Sequence, residues 1–120
     1  MGNPIVHWDL TVSDPEKAKA FYGSVFDWKF DDSSMPGYTI IDVGIEGRGG
    51  GMMQRPPDAP GYALNIYFGV DDAAEALAKA KGAGATLLAE KTEIPGIGWW
   101  GLFLDPDGIP ICVFEPAPPQ

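Results

Sequence analysis

Phe103-Leu-Asp-Pro-Asp-Gly-Ile-Pro-Ile-Cys-Val-Phe-Glu115 is the stretch from which the fold is read. Two apolar runs flank Asp105-Pro106-Asp107-Gly108, so the pattern predicts strand, tight turn, strand. Pro106 presets φ for the second position of a turn, and Gly108 accepts the positive φ that the turn exit requires. Upstream of this hairpin the chain reads the same way twice. Residues 4–12 alternate, with Val6, Trp8, Leu10 and Val12 on an apolar face and Ile5, His7, Asp9 and Thr11 on the other. Ser13 with Glu16 three residues on reads as a capping box for a helix to about Ser24, with Ala18, Phe21, Tyr22 and Val25 turned inward. Short strands are expected at 28–30, 37–43 and 51–53. Residues 54–62 hold three prolines and a glycine and read as a linker.

The pattern then begins again. Leu64, Ile66, Phe68 and Val70 form the apolar face of a strand, and Asp71-Asp72 caps a helix whose Ala73, Ala76, Leu77 and Ala80 face a core. Gly82 and Gly84 end that helix, residues 86–89 read as a strand, and the 99–114 hairpin closes the chain. Val12-Ser13-Asp14 lies over Val70-Asp71-Asp72 with both helices in register, so the sequence is an internal duplication. The expected fold is α+β: one domain over 1–120, with a β-α-β-β-β module at about 4–53, the linker 54–62, and a second module at about 63–115. Pro116-Ala-Pro-Pro-Gln reads as a frayed tail.

Composition limits the function. The chain has 120 residues and 12.8 kDa, enough for one real core. A net charge of −9 argues against nucleic acid, which needs clustered Lys and Arg. No apolar run approaches a membrane span. A single cysteine, with no signal-peptide pattern at the start of the sequence, fits a cytoplasmic location. The acidity suits solubility, or a cationic small ligand.

His7-x-x-Leu10-x-Val12-x-Asp14, then Ala20-Phe21-Tyr22, then Phe103-Leu-Asp-Pro-Asp-Gly108 follow one another in an order that resembles the vicinal oxygen chelate superfamily. That superfamily includes glyoxalase I, bleomycin-resistance proteins, extradiol dioxygenases and methylmalonyl-CoA epimerase. The resemblance covers essentially the whole chain and implies paired modules whose strands form a curled mixed sheet around a cavity, the glyoxalase-like fold, within a homodimer. It also implies a divalent metal on a His of the first strand, a His or Gln of the fifth and a Glu of the last, acting as a Lewis acid. Position by position, these are His7, Asn65 and Cys112, so one of three matches; a fourth-strand ligand would fall near Met52, which is apolar.

The candidate residues keep two readings each. His7, the only histidine, is a surviving metal ligand or general base, or a cavity-lining polar residue. Asp9 orients His7, supplies an oxygen ligand or meets a cation, or is a hydrogen-bonded strand residue. Cys112 is a thiolate for a soft metal, or a small buried hydrophobe. Trp99 or Trp100, with Tyr67 and Phe114, would suit a flat or apolar ligand, and period two puts one of the tryptophans in the core. Gly49-Gly50-Gly51 is no phosphate loop and reads as a turn with close strand approach. Glu115 reads as a solvated edge residue. The expected ligand cavity is thus His7, Asp9, Met52, Asn65, Tyr67, Trp99, Cys112 and Phe114, with His7 the candidate metal ligand. The expected function is metal-independent binding of a small aromatic or cationic molecule. The alternative is a metal-dependent lyase, isomerase or dioxygenase that uses Zn, Ni, Mn or Fe on His7 with Asp9 or Cys112.

Overall fold

A computed structural model describes residues 2–45, 47–55 and 63–118. Most of the expected linker, residues 56–62, lies outside the described residues, as do Glu46 of the glycine-rich turn and the last two residues of the tail. The element order is β1 (Ile5–Val12), α1 (Pro15–Phe26), β2 (Lys29–Met35), β3 (Tyr38–Asp42), β4 (Gly50–Gln54), β5 (Leu64–Gly69), α2 (Ala73–Gly82), β6 (Thr86–Ile94), β7 (Gly98–Leu104) and β8 (Pro110–Pro116). This is the β-α-β-β-β order twice, an α+β fold. The chain divides into two compact units, His7–Asn65 and Met1–Val6 with Ile66–Gln120.

In the first unit the strands run β2-β3-β4-β1, with β3 antiparallel to both β2 and β4, and β4 parallel to β1. Leu10 pairs with Met52 and Met52 with Thr39, so these three share a face. Helix α1 lies on that side, where its Lys19 reaches Asp32 and Asp32 accepts from the Thr39 hydroxyl. Met52 and Ile41 are almost wholly buried there. Trp8, Tyr22, Phe26 and Trp28 form a contiguous ring cluster beside them, with centroids 5.1–6.2 Å apart.

Local expectations change at α1. The helix cap is Asp14 rather than Ser13: its carboxylate accepts from the backbone N–H of Glu16 and Lys17, while Pro15, at the first helical position, has no N–H to offer. Phe21 and Val25 are 59% and 53% exposed rather than buried. The stack on Trp28 takes up Tyr22 and leaves those two on the flank of the helix. At the other end Asp27 closes α1 with φ 58°, in the left-handed region, its N–H bonded to the Gly23 carbonyl.

In the second unit the order is β5-β8-β7-β6, with β5 parallel to β8 and the rest antiparallel. Asp72 caps α2 by accepting from Glu75 N–H. Ala73 and Leu77 pack on Val113, with Leu87, Trp99 and Phe103 around them. The β7–β8 turn forms as read: the Asp105 carboxylate accepts from the N–H of Asp107 and Ile109, and Gly108 takes φ 84°. Leu64, expected in the apolar face of β5, is 51% exposed at the strand's start. Glu115 is not a solvated edge. Its side chain is 17% exposed and accepts from Ala73 N–H at 2.8 Å, with Lys91 at 3.2 Å. Because α2 begins directly over β8, Glu115 supplies a second acceptor for the first turn of that helix.

Candidate functional site

Strand alternation places His7, Asp9 and Thr11 on the sheet face of the first unit turned away from α1. Asp9 pairs with Gly51, and Gly51 with Ile40, so Tyr38, two residues before Ile40, shares that face. There the Tyr38 hydroxyl lies 2.8 Å from His7 Nε2. Asn65 Nδ2 donates to Asp9 Oδ1 at 3.1 Å. Asp9 is 5% exposed, a carboxylate held away from water that accepts from the Asn65 amide. Gly51 lies beneath the phenol of Tyr38: a Cβ there would overlap the hydroxyl and ring carbons. The glycine at this mid-strand position is therefore what lets Tyr38 lie flat over β4 and reach His7.

The electrostatics follow from this burial. The imidazole pKa of His7 is lowered from 6.5, because burial disfavours the cation; Asp9 opposes the shift and Arg48 adds to it. The Tyr38 phenol is pushed up, first by burial and then by the nearby Asp9 carboxylate. At neutral pH the pair is thus an uncharged imidazole and an uncharged phenol beside a buried carboxylate.

In the second unit Tyr67 pairs with Cys112, Cys112 with Leu102, and Phe114 with Trp100. These five residues share one face, opposite the one on which Val113, Trp99 and Phe103 meet α2. Trp100 is therefore the tryptophan that joins Tyr67 and Phe114. Trp99 belongs to the helix side, where Lys91 Nζ lies 4.8 Å from its ring centroid. Cys112 is 2% exposed.

Of the expected cavity set, His7, Asp9 and Asn65 come together in the first unit, and Tyr67, Cys112 and Phe114 share a face in the second. Met52 and Trp99 are corrections. Each sits one residue out of phase, on the helix-covered face of its sheet, where side chains fill the core. Tyr38 was not among the expected residues. Its signal was the alternation of β3 together with the bare glycine at position 51.

Among the described residues, eight strands and two helices in this order define a pair of glyoxalase-like modules. The chain belongs to the Glyoxalase/Bleomycin resistance protein/Dioxygenase superfamily, whose family model matches residues 4–113. It is 34% identical over 117 residues to a protein named "Putative glyoxylase CFP32" in Mycobacterium bovis, and equally to its Mycobacterium tuberculosis counterpart. The match covers 94% of this chain but 44% of those relatives, so the chain spans less than half their length. Among solved structures, methylmalonyl-CoA epimerase from Mycobacterium tuberculosis matches with a TM-score of 0.67 at 17% identity, over 95% of this chain and 88% of that one. A glyoxalase/bleomycin resistance protein/dioxygenase superfamily member from Vibrio splendidus 12B01 matches with 0.63 at 13% identity, over 95% and 99%. At such identities these likenesses speak for the fold.

The donors at the superfamily's metal positions are a poor match to a divalent ion. His7 has a phenol hydroxyl on Nε2. Asn65, a weak ligand type, turns its amide nitrogen to Asp9, and Cys112 replaces the carboxylate at the third position. Among the described residues no three His, Cys, Asp or Glu side chains gather in a ligating group. No described helix is long and apolar enough to cross a membrane.

Proposed function

We propose that this chain binds a small aromatic or cationic molecule without using a metal. The observation that carries the reading is the gathering of Tyr67, Trp100 and Phe114 on the face of the second unit's sheet turned away from α2. Flat π faces held by a β scaffold favour planar ligands through stacking, and cations through the ring quadrupole. The net charge of −9 favours a cation on approach. The polar pairs His7–Tyr38 and Asn65–Asp9 support the same reading, since in each pair the two side chains are engaged with each other rather than arranged for an ion. The protein is read as a homodimer, which sedimentation equilibrium tests.

The test is a thermal-shift screen of aromatic and quaternary ammonium compounds, repeated on Trp100→Ala and after chelator treatment. The expected result is a ligand whose stabilisation survives chelator and falls at least about tenfold in affinity with Trp100→Ala, the factor for a stacking contact of ~1.4 kcal/mol. A stoichiometric metal whose removal lowers the melting temperature would overturn the reading. It would favour the second one, a metal-dependent lyase, isomerase or dioxygenase built on His7 with Asp9 or Cys112. That alternative is supported by the 34% identity to proteins named as glyoxylases.

A further inference from the structure

The two helices are held to their sheets unequally. Helix α2 buries Ala73 and Leu77 against Val113, and its sequence is rich in alanine, the best helix former. Among the described residues none from α1 is buried, and its last turn, Gly23-Ser-Val-Phe26, is built of weak helix formers. Phe26 is 56% exposed although its ring lies against Trp28. Yet the sheet on that side carries Ile41, Met52 and Thr39, all closed to water. A lightly anchored helix thus covers a well-buried face.

A polar tie joins the first half of α1 to the sheet. Lys19 Nζ lies 2.9 Å from Glu16 Oε2 on its own helix and 2.7 Å from Asp32 Oδ2 on β2. Asp32 Oδ1 in turn accepts from the Thr39 hydroxyl. The Lys19 side chain is 17% exposed and that of Asp32 61%, so the pair sits at a rim where water and salt weaken it. Between helix and sheet at this point lies a groove of about 260 Å³, with Glu16, Lys19, Asp32, Thr39, Met52 and Gln54 in its lining.

We propose that α1 is a lid on its side of the first unit's sheet, latched by Lys19 through Asp32 to Thr39, and that it opens while the strands stay paired. Opening gives up a rim ion pair and the rings of Tyr22 and Phe26 on Trp28, but no fully buried side chain of the helix. The ladder bonds of the strands are untouched, so this movement costs less than unfolding the unit. The open form joins the groove to the surface that Met52 and Ile41 make, and presents apolar area that the closed form hides. The lid lies on the opposite side of the sheet from His7 and Tyr38, so the proposal is independent of the ligand reading.

Hydrogen exchange of the intact chain, resolved to peptides by mass spectrometry, reads the opening. After correction for intrinsic rates, the slowest amides of residues 15–26 are expected to exchange at least about tenfold faster than those of residues 73–82, the factor for one buried leucine side chain. Lys19→Met keeps the helix propensity and removes the latch. It is expected to speed exchange in 15–26 by about fivefold, the upper end for a partly exposed ion pair, and to leave 73–82 unchanged. Asp32→Ala cuts the same tie from the sheet side and is expected to act alike. Hydrogen peroxide, which oxidises an accessible thioether, separates lifting of the helix from unwinding in place. Oxidation of Met52 is expected to rise by the same factor in both variants. Equal protection of the two helices, exchange that accelerates in both together, no change in either variant, or Met52 as resistant in the variants as in wild type would each overturn the proposal.

Discussion

Gly51→Ala is the substitution that most directly tests the geometry of the site. Gly51 sits between two paired strands, with Asp9 on one side and Ile40 on the other. A Cβ at this position would overlap the Tyr38 hydroxyl and two of its ring carbons. A small shift of the phenol tip does not relieve this, so the ring has to swing away as a whole. The swing breaks the bond to His7, a loss of about 1 kcal/mol. Rearranging a packed neighbour adds about 1–3 kcal/mol. Replacing a mid-strand glycine returns about 0.5–1 kcal/mol of backbone entropy. The net expectation is a loss of about 2 kcal/mol, or about 8 °C in melting temperature for a domain of this size. Urea unfolding followed by tryptophan fluorescence reads it. The decisive comparison is the same substitution in a Tyr38→Ala background, where the space is already vacant. There Gly51→Ala is expected to be close to neutral, giving a coupling of about 2 kcal/mol. An equal loss in both backgrounds would show that the backbone of β4, not Tyr38, requires the glycine, and would refute the reasoning.

Three further outcomes are expected. The folded His7 ring takes up its proton at a lower pH than the unfolded chain, whose value is 6.5; below 6.5 the unfolded state therefore binds more protons and stability falls, while above it this contribution is flat. Urea midpoints between pH 8 and 5 should show that decline in wild type and a shallower one in His7→Gln; parallel curves would be against it. Glu115→Ala removes an acceptor from the first turn of α2 and the partner of Lys91, and should cost about 1–2 kcal/mol, with Glu115→Gln retaining about half of that by keeping an acceptor. Thermal melts of the two variants decide it, and equal melting temperatures would count against the capping role. Cys112, 2% exposed between Tyr67 and Leu102, should react with a thiol reagent only at the rate of opening of the fold. Rapid labelling in native buffer would contradict its burial.

Much of the architecture could be read from the chain because two independent signals agree. Alternation marked β1 and β5, apolar runs marked β7 and β8, and the Asp105-Pro106-Asp107-Gly108 turn fixed how the last two strands meet. The repeat of the pattern after residue 62 then required two modules. Less legible was what depends on one residue of phase. Met52 and Met53 look alike in sequence, yet the register with Leu10 sends Met52 to the helix side. Trp99 and Trp100 differ in the same way, and only the pairing of Trp100 with Phe114 separates them. Phe21 and Val25 have the spacing of a buried stripe, but a helix lying on four strands covers a narrower arc than the apolar residues span. Tyr38 was hidden for another reason. Its role depends on the absence of a side chain at Gly51, across the ladder and 13 residues away along the chain.

Asp27 closes α1 in a left-handed conformation that glycine, or failing that asparagine, adopts at less cost. It also sets a negative charge at the end of the helix where the backbone dipole is already negative. Both features work against the fold, and its pairing with Lys29, between two largely exposed side chains, offsets little of that. The position is therefore an unused reserve. A chain of this family with glycine at the same helix end could tolerate one more destabilising change elsewhere, and Asp27→Gly is a natural first background in which to introduce substitutions at the buried polar cluster.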